Sequence, residues 1–224
     1  ANGPVVFFSA AGKSGADVRA SRIKLDDNSC PAFDLEAGDV LKRVHLGLVG
    51  RHQVSNALAA ISVCLTLGLN SPQVVETLNN LRAESPHRMN VFEANGATFI
   101  DDSYNANPDS MKAGLEVLGR LGERGNRRIA VLGVMLELGK TSASLHREVG
   151  RLADEAGVDV LITVGEGAEP IAEPLRGKAD IHHFETAKEA GDLLRNLVQP
   201  GDFVFLKGSN GSGVWKIADE FSAV

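Results

Sequence analysis

The chain has 224 residues, of which 43% are hydrophobic and 23% charged, as in ordinary globular proteins with one large or two small domains. Its net charge of −6 argues against a nucleic-acid binder that depends on phosphate neutralisation, although a nucleotide needs only a few local charges. Cys30 and Cys64 lie far apart without a histidine cluster, so we expect reduced, buried or half-buried thiols. Without a long apolar run or a signal pattern, we expect a cytoplasmic protein with no membrane insertion.

The first part of the chain is rich in short strand-like stretches broken by Gly, Asn, Asp and Pro. These stretches are residues 5–8, 18–25, 32–35 and 41–48. We expect a strand meander without chemistry of its own. Lys13 in Ala11-Gly12-Lys13-Ser14-Gly15 invites a phosphate-loop interpretation, but the upstream glycine and a strand-to-helix context are both missing.

Residues 50–67 are predicted to form a helix, with Gly68 as its stop. The helical spacing of the apolar residues defines one face: Val54, Leu58, Ile61 and Leu65. His52, Gln53 and Asn56 lie on the first turns. Two interpretations stay open here. In the first, His52 caps the helix and Asn56 is a helix amide whose hydrogen bonds are satisfied. In the second, these side chains bind a ligand.

A second helix is predicted from Ser71, followed by a charged linker at residues 82–90. Residues 91–94 and 97–101 then flank Asn95-Gly96, a strong hairpin signal.

The rest of the chain repeats a strand–helix pattern. Predicted strands are 128–133, 158–165, 180–184 and 203–207, and predicted helices are 142–156, 167–175, 187–197 and 213–221. Strands with continuous apolar runs, such as 129–132, are buried on both faces and therefore parallel. The fold class predicted is α/β, a Rossmann-like, mostly parallel sheet with helices on both faces.

Polar side chains are concentrated in residues 101–107, between a predicted strand and a predicted helix. Asn107 is the expected N-cap, because Pro108 suits the first helical position, and the helix should bury Met111, Leu115 and Leu118. A capped surface turn would explain some of this polarity. However, the carboxyl ends of parallel strands are where α/β sheets hold ligands.

Two further strand ends should meet this loop. Residues 133–139 contain Glu137, and the Gly- and Ser-rich residues 207–213 form a strand–helix junction that can present backbone N–H groups to an anion. Glu137 and His146 invite general acid–base roles, but a cap or ion-pair role explains each of them as well.

Several stretches, in this order along the chain, resemble the Mur ligase family. They are residues 50–60 (GRHQVSNALAA), 86–89 (PHRM), 101–111 (DDSYNANPDSM), 131–139 (VLGVMLELG), 145–150 (LHREVG) and 206–209 (LKGS). The resemblance covers nearly the whole chain. Gln53 and Val134 depart from the family, which usually has Asn and Asp at these places.

The resemblance implies an ATP-dependent amide ligase that uses Mg²⁺ and adds D-alanyl-D-alanine to UDP-N-acetylmuramoyl-tripeptide through an acyl phosphate, in peptidoglycan synthesis. It implies ATP contacts from Asn56, Arg88 and Asp102. It implies substrate contacts from Tyr104, Asn105, Asn107, Lys207 and Ser209. His52, Glu137 and His146 are further candidates. No metal ligand is assigned to this chain.

The family's Gly-Lys-Thr/Ser phosphate loop does not occur in the sequence. The resemblance therefore makes residues 1–84 the C-terminal part of a central ATP-binding domain and residues 85–224 a C-terminal Rossmann-like ligase domain. The parent is expected to be a monomeric enzyme, and this chain alone an inactive fragment that tends to associate. The alternatives are a sibling Mur or folylpolyglutamate-type amino-acid ligase, and a non-catalytic Rossmann-like binding module.

Overall fold

A computed structural model of the chain describes residues 5–82, 85–122 and 126–223. The chain divides into two compact units, Ala1–Glu84 (unit 1) and Ser85–Val224 (unit 2). None of the helices within the described residues combines the length and the apolar character needed to cross a bilayer.

Unit 1 contains a four-stranded sheet in the order β1-β2-β3-β4. Its strands are β1 (Phe8–Ser9), β2 (Val18–Leu25), β3 (Pro31–Ala37) and β4 (Val40–His45). β1 pairs parallel with β2, and the other pairs are antiparallel. The predicted meander is confirmed for β2 to β4. The strand predicted at 5–8 is wrong in its bounds, because β1 covers only Phe8–Ser9, although the Phe7 carbonyl accepts the Asp17 and Val18 N–H groups.

Two helices pack on this sheet, α1 (Gln53–Thr66) and α2 (Ser71–Asn80). The predicted apolar face of α1 is confirmed, since Val54, Leu58 and Ile61 are buried against Phe33 and its neighbours. The cysteines are half-buried free thiols, and burial raises the pKa of the Cys30 thiol.

Unit 2 is built on a six-stranded sheet in the order β5-β6-β10-β7-β8-β9. The strands are β5 (Asn90–Ala94), β6 (Ala97–Asp101), β7 (Arg128–Gly133), β8 (Val160–Val164), β9 (Asp180–Phe184) and β10 (Phe203–Lys207). Only the hairpin pair β5–β6 is antiparallel. The predicted Rossmann-like, mostly parallel sheet is confirmed.

Helices cover both faces of this sheet. They are α3 (Pro108–Leu121), α4 (Ser142–Glu155), α5 (Ala187–Leu197) and α6 (Trp215–Ser222). Because strand side chains alternate between faces, Val204 and Leu206 of β10 share a core with residues of α5 and α6. Phe205, between them, lies against Gly114 of α3.

The helix predicted at residues 167–175 is wrong in type. Glu169–Leu175 is a 3₁₀ helix with Pro174 inside it. A proline there has no N–H for the α-helical bond to the carbonyl four residues earlier. The segment instead closes tightly on α4, where a Cβ on Gly150 would lie 2.1 Å from the Ile171 carbonyl oxygen.

The last helix also begins later than the predicted residue 213. Asn210–Ser212 forms a 3₁₀ turn, and Gly213 has a left-handed backbone (φ 73°) that separates this turn from α6.

Candidate functional site

The loops that follow β6, β7 and β10 meet at one edge of the unit 2 sheet, as expected for neighbouring parallel strands. The Asp102 N–H donates to the Leu206 carbonyl (2.9 Å), and the Ser209 N–H donates to the Val134 carbonyl (3.1 Å). β10 lies between the other two strands, so its loop links them.

The ends of β7 and β10 approach each other at backbone distance. A Cβ on Gly208 would lie 2.4 Å from Ser212 Oγ and 2.9 Å from the Gly133 Cα, so no larger residue fits. The Ser209, Ser212 and Gly213 N–H groups donate to carbonyls of these loops. These three N–H groups are therefore not available to an anion, and the expectation that residues 207–213 present N–H groups to one stays a prediction.

Lys207 holds two of these loops together. Its side chain is 2% exposed, and Nζ donates to Asp102 Oδ2 (2.5 Å), the Asp102 carbonyl (3.1 Å) and the Asn105 carbonyl (2.9 Å). An ammonium has three donors, and these contacts use them. Within the described structure Lys207 thus positions the loop at residues 101–107.

Both carboxylates of this loop have partners in unit 2. Asp102 Oδ1 accepts the Met89 N–H (3.2 Å) in addition to the Lys207 contact at Oδ2. Asp101 is buried, accepts the Ser103 N–H (3.1 Å) and hydroxyl (2.5 Å) at Oδ1, and contacts His87 Nδ1 (2.8 Å) at Oδ2. The pair therefore joins this loop to residues 87–89.

Arg88 is presented from a strained backbone. His87 and Met89 on either side of it have positive φ (60° and 52°), a region that non-glycine residues seldom occupy. The His87 carbonyl accepts the Tyr104 N–H (3.0 Å). The exposed Arg88 guanidinium lies over the Tyr104 ring, 4.0 Å from its centroid, in a cation–π contact. A stacked guanidinium still directs its in-plane N–H groups outward, the geometry suited to a phosphate.

The two asparagines of the loop differ in use. Asn107 caps α3: its Oδ1 accepts the Ser110 N–H (2.8 Å), and its own N–H donates to Ser110 Oγ (3.0 Å). The predicted cap is confirmed, with Pro108 at the helix start. Asn105 is exposed and its Oδ1 accepts the Ala106 N–H (2.8 Å), so Tyr104 and Asn105 are two exposed polar side chains of this loop, and Tyr104 contacts Arg88.

The loop after β7 is held from two sides. Ser209 Oγ accepts the Leu136 N–H (2.9 Å), and the buried His146 accepts the Met135 N–H at Nε2 (2.9 Å). Because Nε2 accepts, Nδ1 carries the proton and donates to the Ser142 carbonyl (2.8 Å). Burial lowers the pKa of His146, which favours this neutral form. Both ring nitrogens of His146 are hydrogen-bonded to backbone groups. Glu137, in the same loop, is exposed and has a positive φ of 65°.

His52 and Asn56 belong to unit 1 and are described within it. His52 stands at the N-cap position of α1 in helical conformation and makes no side-chain capping bond, so the cap interpretation is wrong. Asn56 Nδ2 donates to Gln53 Oε1 (3.0 Å) one turn away, and Asn56 is exposed.

Sequence reasoning missed the aromatic neighbours of His87. The Trp215 ring centroid lies 6.0 Å from that of His87, and the indole N–H donates to the Asn210 carbonyl (3.2 Å). His87 Nε2 also lies 3.5 Å from Asp219. The usable signal was a lone Trp at a glycine-rich strand–helix junction.

Comparison with known proteins identifies the class. The family described as "Mur ligase, glutamate ligase domain" matches residues 87–210. A Mycobacterium tuberculosis (strain CDC 1551 / Oshkosh) protein named UDP-N-acetylmuramoyl-tripeptide–D-alanyl-D-alanine ligase is 38% identical over 236 residues, covering 92% of this chain and 45% of the relative. The chain belongs to the Mur ligase family.

Solved structures agree with this. MurF from Acinetobacter baumannii superposes with a TM-score of 0.81 at 31% identity, covering 97% of this chain and 46% of that one. MurF ligase from Thermotoga maritima, solved in complex with ADP, gives a TM-score of 0.78 at 28% identity, covering 97% and 48%. The chain thus spans less than half the length of these relatives.

Proposed function

We propose that this chain is the C-terminal half of an ATP-dependent ligase that joins D-alanyl-D-alanine to UDP-N-acetylmuramoyl-tripeptide. The observation that carries the proposal is the 38% identity, over 92% of this chain, to a relative with that name. In this proposal residues 1–84 are the C-terminal part of the central ATP-binding domain, and residues 85–224 are the C-terminal ligase domain. ATP as the energy source places the protein in the cytoplasm, and we expect the full-length protein to be a monomer.

The reaction has two balanced steps. The γ-phosphoryl group of ATP passes to the substrate carboxylate, giving an acyl phosphate and ADP. The dipeptide amine then attacks the carbonyl carbon and the amide bond forms. Phosphate leaves with the electrons of the broken C–O bond, and the proton lost by the amine ends on this phosphate. Rate enhancement in such a scheme comes mainly from positioning and charge neutralisation. Mg²⁺ would neutralise phosphate charge, and we assign its ligands to the part of the parent that this chain does not contain.

For the nucleotide we propose Asn56 at the adenine, and Arg88 and Asp102 at the ribose and phosphates. The ADP complex of the Thermotoga relative supports a nucleotide in the family. Arg88 fits a phosphate because it is exposed and its guanidinium lies over the Tyr104 ring. Asp102 enters the proposal as the carboxylate that directly follows β6 and accepts the Met89 N–H, next to Arg88 in the chain.

For the acyl phosphate and dipeptide we propose contacts from Tyr104 and Asn105, which are exposed. Asn107, Lys207 and Ser209 enter the same proposal as residues that position the loops, because their described polar contacts run to other parts of unit 2. We assign no proton transfer to Glu137, His146 or His52.

The test is a product assay with the full-length gene product, ATP, Mg²⁺ and UDP-N-acetylmuramoyl-tripeptide. ADP and phosphate release should require D-alanyl-D-alanine, and mass spectrometry should find the pentapeptide product. Turnover with a single amino acid or glutamate instead of the dipeptide would contradict the substrate proposal in favour of a sibling ligase.

The same assay on the 224-residue chain should release no phosphate above a blank, because the phosphate-loop lysine is not in its sequence. Amide formation by this chain alone would contradict the proposed division of labour.

A further inference from the structure

A second cluster of ionisable side chains lies in unit 2 on Glu169, His183 and Glu185, outside the loops described above. Their ligand atoms all lie within 4.8 Å of one another. Glu169 opens the 3₁₀ helix after β8, and His183 and Glu185 stand at the end of β9, two residues apart and hence on the same side of an extended chain. In the described part of the chain, the ion pairs of both glutamates run only to His183.

The distances match the coordination sphere of a small cation. His183 Nε2 lies 3.4 Å from Glu185 Oε1 and 3.8 Å from Glu169 Oε1. A tetrahedral Zn²⁺ holds N and O ligands at about 2.0–2.2 Å, which sets neighbouring ligand atoms about 3.3–3.6 Å apart. The ligand atoms of the two glutamates lie within 4.8 Å of each other, and rotation of these exposed carboxylates would bring the three separations into that range.

The orientation of the imidazole is set by Thr163, which is fully buried on the neighbouring strand β8. Its Oγ1 lies 2.9 Å from His183 Nδ1 and 3.4 Å from the His182 carbonyl, so a hydroxyl that donates to this carbonyl accepts from Nδ1–H. In the neutral ring Nε2 then carries a lone pair that faces two carboxylates. A lone pair and two anions in this arrangement repel unless a cation or a proton lies between them. A hydrogen-bonded Nδ1–H is also the usual way in which proteins orient a metal-bound histidine.

We propose that Glu169, His183 and Glu185 bind one divalent metal ion of the first transition row, such as Zn²⁺. The nitrogen donor disfavours Mg²⁺ and Ca²⁺, which take oxygen ligands. Three protein ligands leave a coordination position for water. The proposal concerns a different part of unit 2 from the proposed ligase residues and does not depend on the ligase reaction.

The test is a titration of the untagged, chelator-treated 224-residue chain with Co²⁺ at about pH 7.5, where imidazole is neutral. A Cys30→Ser/Cys64→Ser background removes the two thiols as competing ligands. We expect one equivalent of Co²⁺ with the visible absorption of a four-coordinate ion, displaced by Zn²⁺ but not by Mg²⁺. His183→Gln should abolish this signal. Thr163→Val, which keeps the volume but loses the hydroxyl, should weaken binding about 10-fold or more.

His182→Gln is the matched control, since His182 is adjacent on β9 and pairs with Asp180 (3.1 Å) instead of the cluster. It should bind Co²⁺ like the parent background, and circular dichroism should show each variant folded. The proposal is overturned if His183→Gln binds as tightly as the background. It is equally overturned if no four-coordinate Co²⁺ signal forms with the folded parent background.

Discussion

The ammonium group of Lys207 lies almost wholly out of water, and Asp102 supplies its compensating charge. Charged groups are seldom fully buried unless they are paired, because desolvation costs several kcal/mol per ion. Here one carboxylate oxygen and two carbonyls replace the lost water. Removing the carboxylate charge therefore affects the fold as well as any nucleotide contact.

Asp102→Asn is expected to destabilise the protein by about 3 kcal/mol, the lower end for breaking a buried ion pair, since Lys207 keeps its two carbonyl partners. Urea unfolding of unit 2 measures this. Adding Lys207→Met, which removes the buried charge, should restore part of the loss. Asp109→Asn is the control, exposed on the first turn of α3, and should cost only about 0.3–1 kcal/mol. If the two single variants are equally stable, the Lys207–Asp102 pair does not hold the loop.

His146 gives a prediction about pH. Burial lowers its pKa in the folded state below the ordinary value of 6.5, so the unfolded chain binds the proton more tightly. The stability that depends on neutral His146 is therefore present above about pH 6.5 and is lost as the pH falls below it, by at most about 1.4 kcal/mol per pH unit.

The measurement is the unfolding free energy between about pH 7.5 and 5 for the parent and His146→Gln. The variant should be less stable at neutral pH, because the Met135 N–H and Ser142 carbonyl lose well-placed partners. Its stability should also fall less steeply with acid. Parallel pH profiles would show that His146 does not titrate on unfolding as proposed.

These side chains also mark the limit of sequence reasoning about the site. The polar loop at 101–107 and its Asn107 cap are predictable, because capping rules and strand-end positions are local. The roles of Lys207 and Ser209 are not, since each side chain contacts residues more than 70 positions away, Ser209 at Leu136 and Lys207 at Asp102. Local sequence patterns do not predict contacts between residues so far apart in the chain.

At the scale of elements, local sequence patterns predict the bounds of strands and helices whose formation depends on nearby residues. β7 and β10 have the predicted bounds because continuous apolar runs mark them, and α5 has them because of its helical periodicity. The predicted bounds of β9 are also confirmed. The α-helix predicted at residues 167–175 is wrong because Pro174 inside the segment interrupts α-helical bonding, and the segment forms a 3₁₀ helix instead.

Helix α3 offers a matched pair of glycines. A Cβ on Gly114 would lie 2.1 Å from the Phe205 ring of β10, whereas one on Gly119 would lie 3.4 Å from Ala156, an ordinary contact. Alanine gains up to about 1 kcal/mol of helix propensity over glycine at either place. At Gly114 overpacking costs about 1–3 kcal/mol and outweighs that gain.

We therefore expect Gly119→Ala to stabilise the protein by up to about 1 kcal/mol, and Gly114→Ala to destabilise it by up to about 2 kcal/mol. Thermal and urea unfolding report both signs. A Gly114→Ala variant that gains stability like Gly119→Ala would mean that α3 does not pack closely on Phe205.

At the scale of the whole chain, the two units differ in how completely they bury their apolar residues. Strands β8 and β10 are buried along their full length. In unit 1 large apolar side chains are exposed, among them Val5 (71%), Phe7 (63%) and Leu67 (73%). Local stability follows the density of buried apolar contacts, so unit 1 should open more readily than unit 2.

Hydrogen exchange followed by mass spectrometry should find the amides of β10 and β7 exchanging at least about tenfold more slowly than those of β2 and β3, which corresponds to about 1.4 kcal/mol in opening free energy. The exchange rates of these strands can be compared directly because all four strands are interior to their sheets.

Exposed apolar surface and the short β1 edge should also make the chain associate as its concentration rises. A shortened chain of residues 85–224 serves as the control: it should keep the slow exchange of β10 and stay monomeric at concentrations where the whole chain associates. Equal protection in both sheets, or association of the shortened chain, would contradict the assignment of the weaker unit to residues 1–84.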